Sequence, residues 1–378
     1  LLSELSPTRA ARGVVQRAGC GARVRVQSRG THIAAGSTVL ASGAYERRGT
    51  ALRVRDARVR VVRPPGVLAG WRSRTGDHID ALYGEDAPLA RALLIADADD
   101  IDRAVRDRFA DAGIVHMLSV SGLHVGIIAG AVRGIAVAAR AGALAADLVS
   151  LGTTLAFVLF IGAPPPAVRS GGMLLLGVVA RLLQRPTAPW GIWAVSCAIP
   201  LVESRVVLDL GWQLSVAGMA GLLASGPLTR RLAGALPGWR RAVVASMVAT
   251  TVASAATAPL VAWVFGRVSL AAVVTNVAAA PLFGVAQPLL FASLVALPLR
   301  AVAGFLAESA RGALTLVDLV ARAGAAMPFA VVRAEPDAPT ALLLGVAALA
   351  AMAALTGRWW RRPALCSLGA LALSTWWP

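Results

Sequence analysis

The stretch His116-Met117-Leu118-Ser119-Val120-Ser121-Gly122-Leu123-His124-Val125-Gly126 decides how this chain is read. It opens the first long apolar run of the sequence and carries four polar side chains into it. Taken as a helix over 116–134, it repeats Gly122, Gly126, Gly130 and Gly134 every fourth residue. Such a stripe of small residues lets a second helix approach closely within lipid. His116, Ser119, Ser121 and His124 stand at its start. Polar groups at membrane depth are costly unless they face protein or water, so they mark a pathway or an interior site. Serines bonded back to carbonyls, with interfacial histidines, fit equally well.

The surroundings are those of a membrane protein. The 378 residues are 57% hydrophobic and only 15% charged. Soluble domains are about 45–50% apolar and about 25% charged. Apolar segments are expected to span near 114–137, 143–163, 167–184, 188–204, 206–226, 242–265, 268–298, 341–357 and 364–377, each near the roughly 20 residues that cross a bilayer core. Residues 301–323 read as an amphipathic helix, with Glu308–Arg311 and Asp318–Arg322 at pairing distance along it. It either crosses inside the bundle or lies on its surface.

Upstream the character changes. Residues 12–62 alternate in period two, as in Ala22–Gln27, Leu52–Arg55 and Arg58–Val61, with Ser37–Ser42 as a further strand. This predicts a β module of four or five strands with Val on one face and Arg on the other. Residues 77–111 read as charged amphipathic helix at the membrane surface, capped by Asp99 or Asp100, with Ile101, Val105 and Phe109 on its apolar side.

The net charge is +17, and every basic residue is arginine. Residues 1–76 hold 15 Arg against three carboxylates, so most of the surplus sits there. That suits an anionic partner, nucleic acid or lipid headgroups, and also fits a solvated Arg-rich surface. In the apolar part, Arg133 and Arg140, Arg181 and Arg185, Arg230, Arg231, Arg240 and Arg241, Arg300, and Arg358, Arg361 and Arg362 follow alternate segments. The positive-inside rule makes those loops cytoplasmic and leaves the β module outside.

Several chemistries are disfavoured. Cys20, Cys197 and Cys366 are too far apart to suggest a disulfide framework or metal site. No His-Glu-x-x-His motif occurs, and no cofactor is implied. Without lysine there is no phosphate-binding P-loop. Ser121 and His124 share a helix face, which raises an intramembrane hydrolase using Ser121. All four histidines precede residue 125, so no later span can supply a base. Further along, Arg169 follows three prolines, Asp209 and Gln213 flank Trp212, and Asn276, Pro281, Gln287 and Pro288 interrupt 268–298. Broken helices at membrane depth are tolerated where they are buried or line a cavity. Asn276 and Gln287 fit either pathway lining or interhelical hydrogen bonds, and Asp209 also fits the outer interface.

These residues carry a resemblance. Ala112–Val125 resembles the signature of the ComEC competence family, Gly-x-x-His-x-Leu-(Ala/Ser)-(Ile/Val)-Ser-Gly-Leu-His-Val. Pro166–Ser170 is similar to its Pro-x-x-Arg-(Ala/Ser) step, and Leu208–Ser215 to its Asp-x-Gly-Phe-Gln-Leu-Ser, with Trp212 for Phe. Thr257–Pro259, Phe265–Ser269, and Asn276 with Pro281 keep the family's order, and the likeness covers about residues 30–335. It implies a mostly α fold: a polytopic helical bundle over 113–378 of about 8–10 spans, a helical linker over 71–112, and an OB-like β module over 1–70.

The function implied is an inner-membrane channel passing single-stranded DNA into the cytoplasm in natural transformation. Arg23, Arg25, Arg53, Arg55, Arg58 and Arg60 would collect DNA. His116, Ser119, Ser121, His124, Arg169, Asp209, Gln213, Asn276 and Gln287 would line the path, and the glycine stripe would pack helices, with bulky residues at Gly126 or Gly130 disrupting assembly. No stretch matches the family's metallo-β-lactamase-like nuclease domain, or the hydrophobic helices ahead of its OB-like module. The expectations are therefore a non-enzymatic chain, a fragment or one beginning downstream of lost residues. It would work with a separate nuclease, a DNA receptor, a cytoplasmic helicase, membrane lipids and further copies of itself. The rival is a transporter or lipid-handling protein whose Arg-rich module binds headgroups.

Overall fold

The computed structural model describes residues 2–7, 12–17, 24–27, 37–48, 51–64, 66–202 and 204–356. The chain divides into two compact units, residues 1–101 and 102–378.

The first unit holds a closed barrel of β1 (Leu2–Pro7), β2 (Arg12–Arg17), β3 (Val24–Gln27), β4 (Ser37–Arg48) and β5 (Ala51–Arg63), in the order β1-β2-β3-β5-β4. Closure leaves no unpaired strand edge. The barrel starts ten residues earlier than the alternation suggested, because β1 pairs with both β2 and β4. The strands expected over 52–55 and 58–61 are one strand, β5. Opposite it, Ser42 pairs with Arg58 and Ala44 with Arg55, so β5 carries one extra residue there. A bulge of this kind resets the two-residue phase. It returns positions 53 and 55 to the face of 58 and 60, while Val54 is buried.

The barrel is followed by α1 (Val67–Tyr83) and α2 (Ala87–Ile95). Arg91 joins them: its Nε and Nη2 each donate to Asp80 at 2.9 Å, and its Nη1 donates to Asp97 at 3.1 Å. Leu93, Leu94 and Ile95 are buried. The segment 71–112 is thus divided, since α3 (Arg103–Asp111) belongs to the second unit. Its cap is Asp102, which accepts from the Ala104 N–H at 3.2 Å, and not Asp99 or Asp100.

The second unit is helical: α4 (Gly122–Ala138), α5 (Ala143–Phe160), α6 (Pro165–Leu182), α7 (Pro189–Ala198), α8 (Leu210–Ala233), α9 (Gly238–Phe265), α10 (Ala272–Val295), α11 (Arg300–Ala325) and α12 (Ala338–Thr356). A two-stranded ribbon of β6 (Arg267–Ser269) and β7 (Val331–Arg333) brackets α10 and α11.

Among the described residues, α5, α9 and α10 are long and apolar enough to cross a membrane. They coincide with the spans expected over 143–163, 242–265 and 268–298, and other expected segments differ in form. Helix α4 has 17 residues, which at 1.5 Å each falls short of a roughly 30 Å core. Helix α7 stops at Ala198 and passes into 3-10 turns around Pro200. Helix α6 carries Arg169. The span expected over 364–377 lies outside the described residues. Helix α10 also differs from the broken segment expected, since it runs unbroken through Pro281 and Pro288.

Small residues bring the helices together. A Cβ on Gly221 of α8 would lie 2.8 Å from the Ala253 Cα of α9, so the two backbones meet there. Next to this contact, Ala220, Ala224, Val248, Val252 and Met352 form a core shared with α12. Helix α11 buries an alanine face, Ala303, Ala307, Ala310 and Ala321 among it, and both expected intrahelical pairs form. Asp318 also accepts from Arg108 of α3 at 2.6 Å, and Arg267 of β6 donates to Asp107 and Asp111 at 2.8 and 2.9 Å.

Candidate functional site

The site is built on the first turn of α4. Val115–Leu118 is a 3-10 turn, Ser119 is extended, and α4 begins only at Gly122. The single helix expected over 116–134 is therefore interrupted. The cause is local: Ser121 is the N-cap and His124 the third residue of the helix, joined as a capping box. The Ser121 backbone N–H donates to His124 Nδ1 at 3.0 Å, and Ser121 Oγ lies 3.0 Å from the same nitrogen. Because Nδ1 accepts, the neutral ring carries its proton on Nε2. That Nε2 is buried without a partner.

Two neighbours clasp this turn from different sides. On one, a Cβ on Gly122 would lie 2.8 Å from Ser170 Oγ and 3.4 Å from Arg169 Nη2, so α6 approaches closely. On the other, the His124 ring meets Phe283 of α10 edge-on, with centroids 6.0 Å apart. One turn further along α10 is Gln287, wholly buried, with neither amide atom bonded. One turn beyond that, Phe291 meets Phe157 of α5 at 5.3 Å. Gln287 therefore lies between the contacts of α10 with α4 and with α5. Thr154, a turn before Phe157, has a buried hydroxyl that is also unbonded. Buried polar groups left open in this way call for water or a ligand.

Arg169, 3% exposed, sits in the first turns of α6. Its Nε donates to Ser215 Oγ of α8 at 2.9 Å, Nη1 to Met173 Sδ at 3.0 Å, and Nη2 to Ser170 Oγ at 3.5 Å. Helix α8 starts beside α6: Asp209 caps it through the Trp212 N–H at 2.8 Å, and a Cβ on Gly211 would lie 3.4 Å from Pro166. The first turns of α4, α6 and α8 thus converge on Arg169. The other ends of α4 and α6 are also tied, because Arg133 and Arg181 both donate to Asp147 of α5, at 2.7 and 2.9 Å.

The remaining expected site residues lie elsewhere or bond locally. His116 and Ser119 are exposed in the loop before α4, where Ser119 Oγ donates to the His116 carbonyl at 3.3 Å. Gln213 donates to the Val207 carbonyl, and Asn276 to the Ala272 carbonyl of its own helix, both at 2.8 Å. Of the stripe, Gly122 alone has a close neighbour among the described residues; Gly126, Gly130 and Gly134 face open space there. Arg58 and Arg60 are exposed on β5. Arg25 and Arg53 are register partners on the parallel strands β3 and β5, and Arg55 is opposite Ala44. Arg23 lies outside the described residues. Thr154, Ser170, Met173 and Trp212 had not been singled out. Ser170 and Trp212 stand inside the quoted motifs, whereas nothing in the sequence marks Thr154.

The family model described as Competence protein matches residues 93–362. No curated protein and no solved structure matches the chain. The matched region covers well over half of the chain and contains Ser121, His124, Arg169 and Gln287, and the chain belongs to the competence protein family, membrane proteins with a role in DNA uptake.

Proposed function

We propose that the chain is a channel of the cytoplasmic membrane that passes single-stranded DNA inward during natural transformation. The observation that carries the reading is the convergence of buried polar groups on the first turn of α4: Arg169 on one side, His124 and Gln287 on the other. Polar groups this deep in an apolar bundle serve a pathway more often than stability.

The Arg-rich loops support a cytoplasmic side for the C-terminal ends of α4 and α6, by the positive-inside rule. Arg169 and His124 then belong to the outer half of the path. The barrel acts outside, as an OB-like module whose Arg positions 25, 53, 55, 58 and 60 follow the phosphate backbone. Positions 25 and 53 stand opposite each other in the ladder, an arrangement of like charge that an anion relieves. On this reading the chain is a conduit and not an enzyme, and a nuclease, a DNA receptor and a cytoplasmic helicase complete the system.

A hydrolase using Ser121 is less well supported. His124 Nδ1, the nitrogen facing Ser121 Oγ, already accepts the Ser121 backbone N–H, and Nε2 has no carboxylate to orient the ring. The test is transformation frequency in a deletion strain complemented with the wild-type chain or with Ser121→Ala. The channel reading expects restoration by wild type and at least partial restoration by the variant. Wild-type failure to restore transformation would count against the channel, and total loss in a well-assembled Ser121→Ala would favour the hydrolase.

A further inference from the structure

The arginines of the helical unit include exposed ones in the loops and others held by carboxylates. Arg108, Arg133, Arg181, Arg267, Arg311 and Arg322 each have an Asp or Glu oxygen within 3 Å. Arg169 is more deeply buried than any of them, yet among the described residues it has no carboxylate. Its partners are two hydroxyls and a thioether, all neutral. A buried charge is costly unless it is paired.

The surroundings increase the positive potential at this point. The first turn of α4 and the first two turns of α6 and α8 meet here, so three helices turn their N-terminal, positive ends toward this region. Asp209, at the start of α8, is occupied as the cap of that helix. Trp212 is three residues before Ser215 on α8, so the two share a face. Its buried Nε1–H has no acceptor. The unfilled capacity here is donors, and the missing partner is therefore an acceptor bearing negative charge. Gly122 leaves room beside Arg169 Nη2 that a side chain would occupy.

We propose that Arg169, with the first turns of α4, α6 and α8, forms a subsite for one phosphodiester anion. Serine 215 and Met173 hold the guanidinium in place, and its free N–H groups take the two non-bridging oxygens. A DNA backbone and a phospholipid headgroup both present this group. That DNA is the source rests on the channel reading; that the site takes an anion does not.

The test uses the full chain in neutral detergent. Equilibrium dialysis measures a thymidine tetranucleotide with phosphodiester links and the same tetranucleotide with uncharged methylphosphonate links. Arg169→Gln is expected to bind the charged form about ten- to a hundredfold more weakly, as for a lost hydrogen bond to a charged group, and the neutral form as wild type does. Arg169→Lys keeps the charge and loses the fork, and is expected to fall between. Equal binding of the charged form by wild type and both variants overturns the subsite, as does an equal loss on both probes. If Arg169→Gln fails to fold, the Lys variant decides alone: a loss confined to the charged probe supports the subsite, and any other pattern overturns it.

Competition by phosphatidylglycerol identifies the headgroup as a second occupant of the same site. Transformation by the Arg169→Gln strain separates the two claims. Arg169-dependent binding with unchanged transformation keeps the subsite and removes it from the DNA path.

Discussion

At the scale of single residues, Ser121 and His124 set where α4 starts. Removing the cap by Ser121→Ala is expected to destabilise the helical unit by about 1 kcal/mol, whereas Ser121→Thr should be close to neutral. Thermal unfolding in detergent measures both, and an unchanged midpoint for Ser121→Ala would remove the capping role. The pairing of Ser121 with His124 was legible in the sequence because the two stand three residues apart, but their role as a cap was not, since 116–134 reads as one helix. The same segment misled on one point: His116 and Ser119 belong to the turn before the helix, since the cap stops the helix from extending back to them. Arg169 was legible as an oddity in an apolar run, but not its partner. Ser215 is 46 residues away, and no periodicity links the two.

Single charges also report on the clamp between α3 and the ribbon. The hydrogen bond from Arg267 holds the Asp107 carboxyl below the usual carboxylate range, helped by the charges of Arg267 and Arg103 and opposed by slight desolvation. A carboxyl whose pKa is lower folded than unfolded stabilises the fold above its unfolded value, near 4, and loses that contribution as the pH falls through the folded value. Arg267→Gln is therefore expected to move acid unfolding, followed by circular dichroism, to higher pH. A midpoint that stays in place would show that the pair carries no linkage.

At the scale of elements, glycine has two roles that the sequence does not separate. Gly221 stands where the backbones of α8 and α9 meet, and Gly221→Ala is expected to cost about 1–3 kcal/mol by overpacking. Gly126 and Gly130 face open space within the chain, so Gly126→Ala is expected to be neutral or stabilising by about 0.5–1 kcal/mol, the ordinary gain of alanine over glycine in a helix. Unfolding of the monomeric chain in detergent separates the two. A loss at Gly126 comparable to that at Gly221 would contradict the open surroundings of the stripe. The regular four-residue spacing drew attention to α4, while the approach of α8 to α9 is at Gly221, which stands in no such pattern. The intrahelical pairs Glu308–Arg311 and Asp318–Arg322 were readable because they lie within one turn. The Arg108–Asp318 bond joins residues 210 apart and could not be read.

At the scale of the whole molecule, the two units divide the work by composition. The first 76 residues concentrate positive charge, and among the described residues of the helical unit Arg169 is a deeply buried arginine without a carboxylate partner. Reversing Arg23, Arg25, Arg53 and Arg55 to Glu together is expected to weaken single-strand binding and to flatten its salt dependence, because each phosphate contact contributes roughly 0.7 to the logarithmic slope. Binding with the wild-type slope would remove the barrel from DNA capture. The barrel was legible from its alternation, apart from its first strand and the bulge that unites the last two segments. The helical class was legible from hydropathy, whereas the breaks at the start of α4 and around Pro200 were not, because they come from local capping and turn geometry.

The central claim is inward passage of single-stranded DNA, and reconstitution tests it most directly. The full chain is inserted into liposomes, an end-labelled oligothymidylate is added outside, and external nuclease then removes what has not entered. The account predicts protected label that depends on the protein and falls in Arg169→Gln. Label no better protected than in protein-free liposomes, with the chain shown to be folded and inserted, would contradict it.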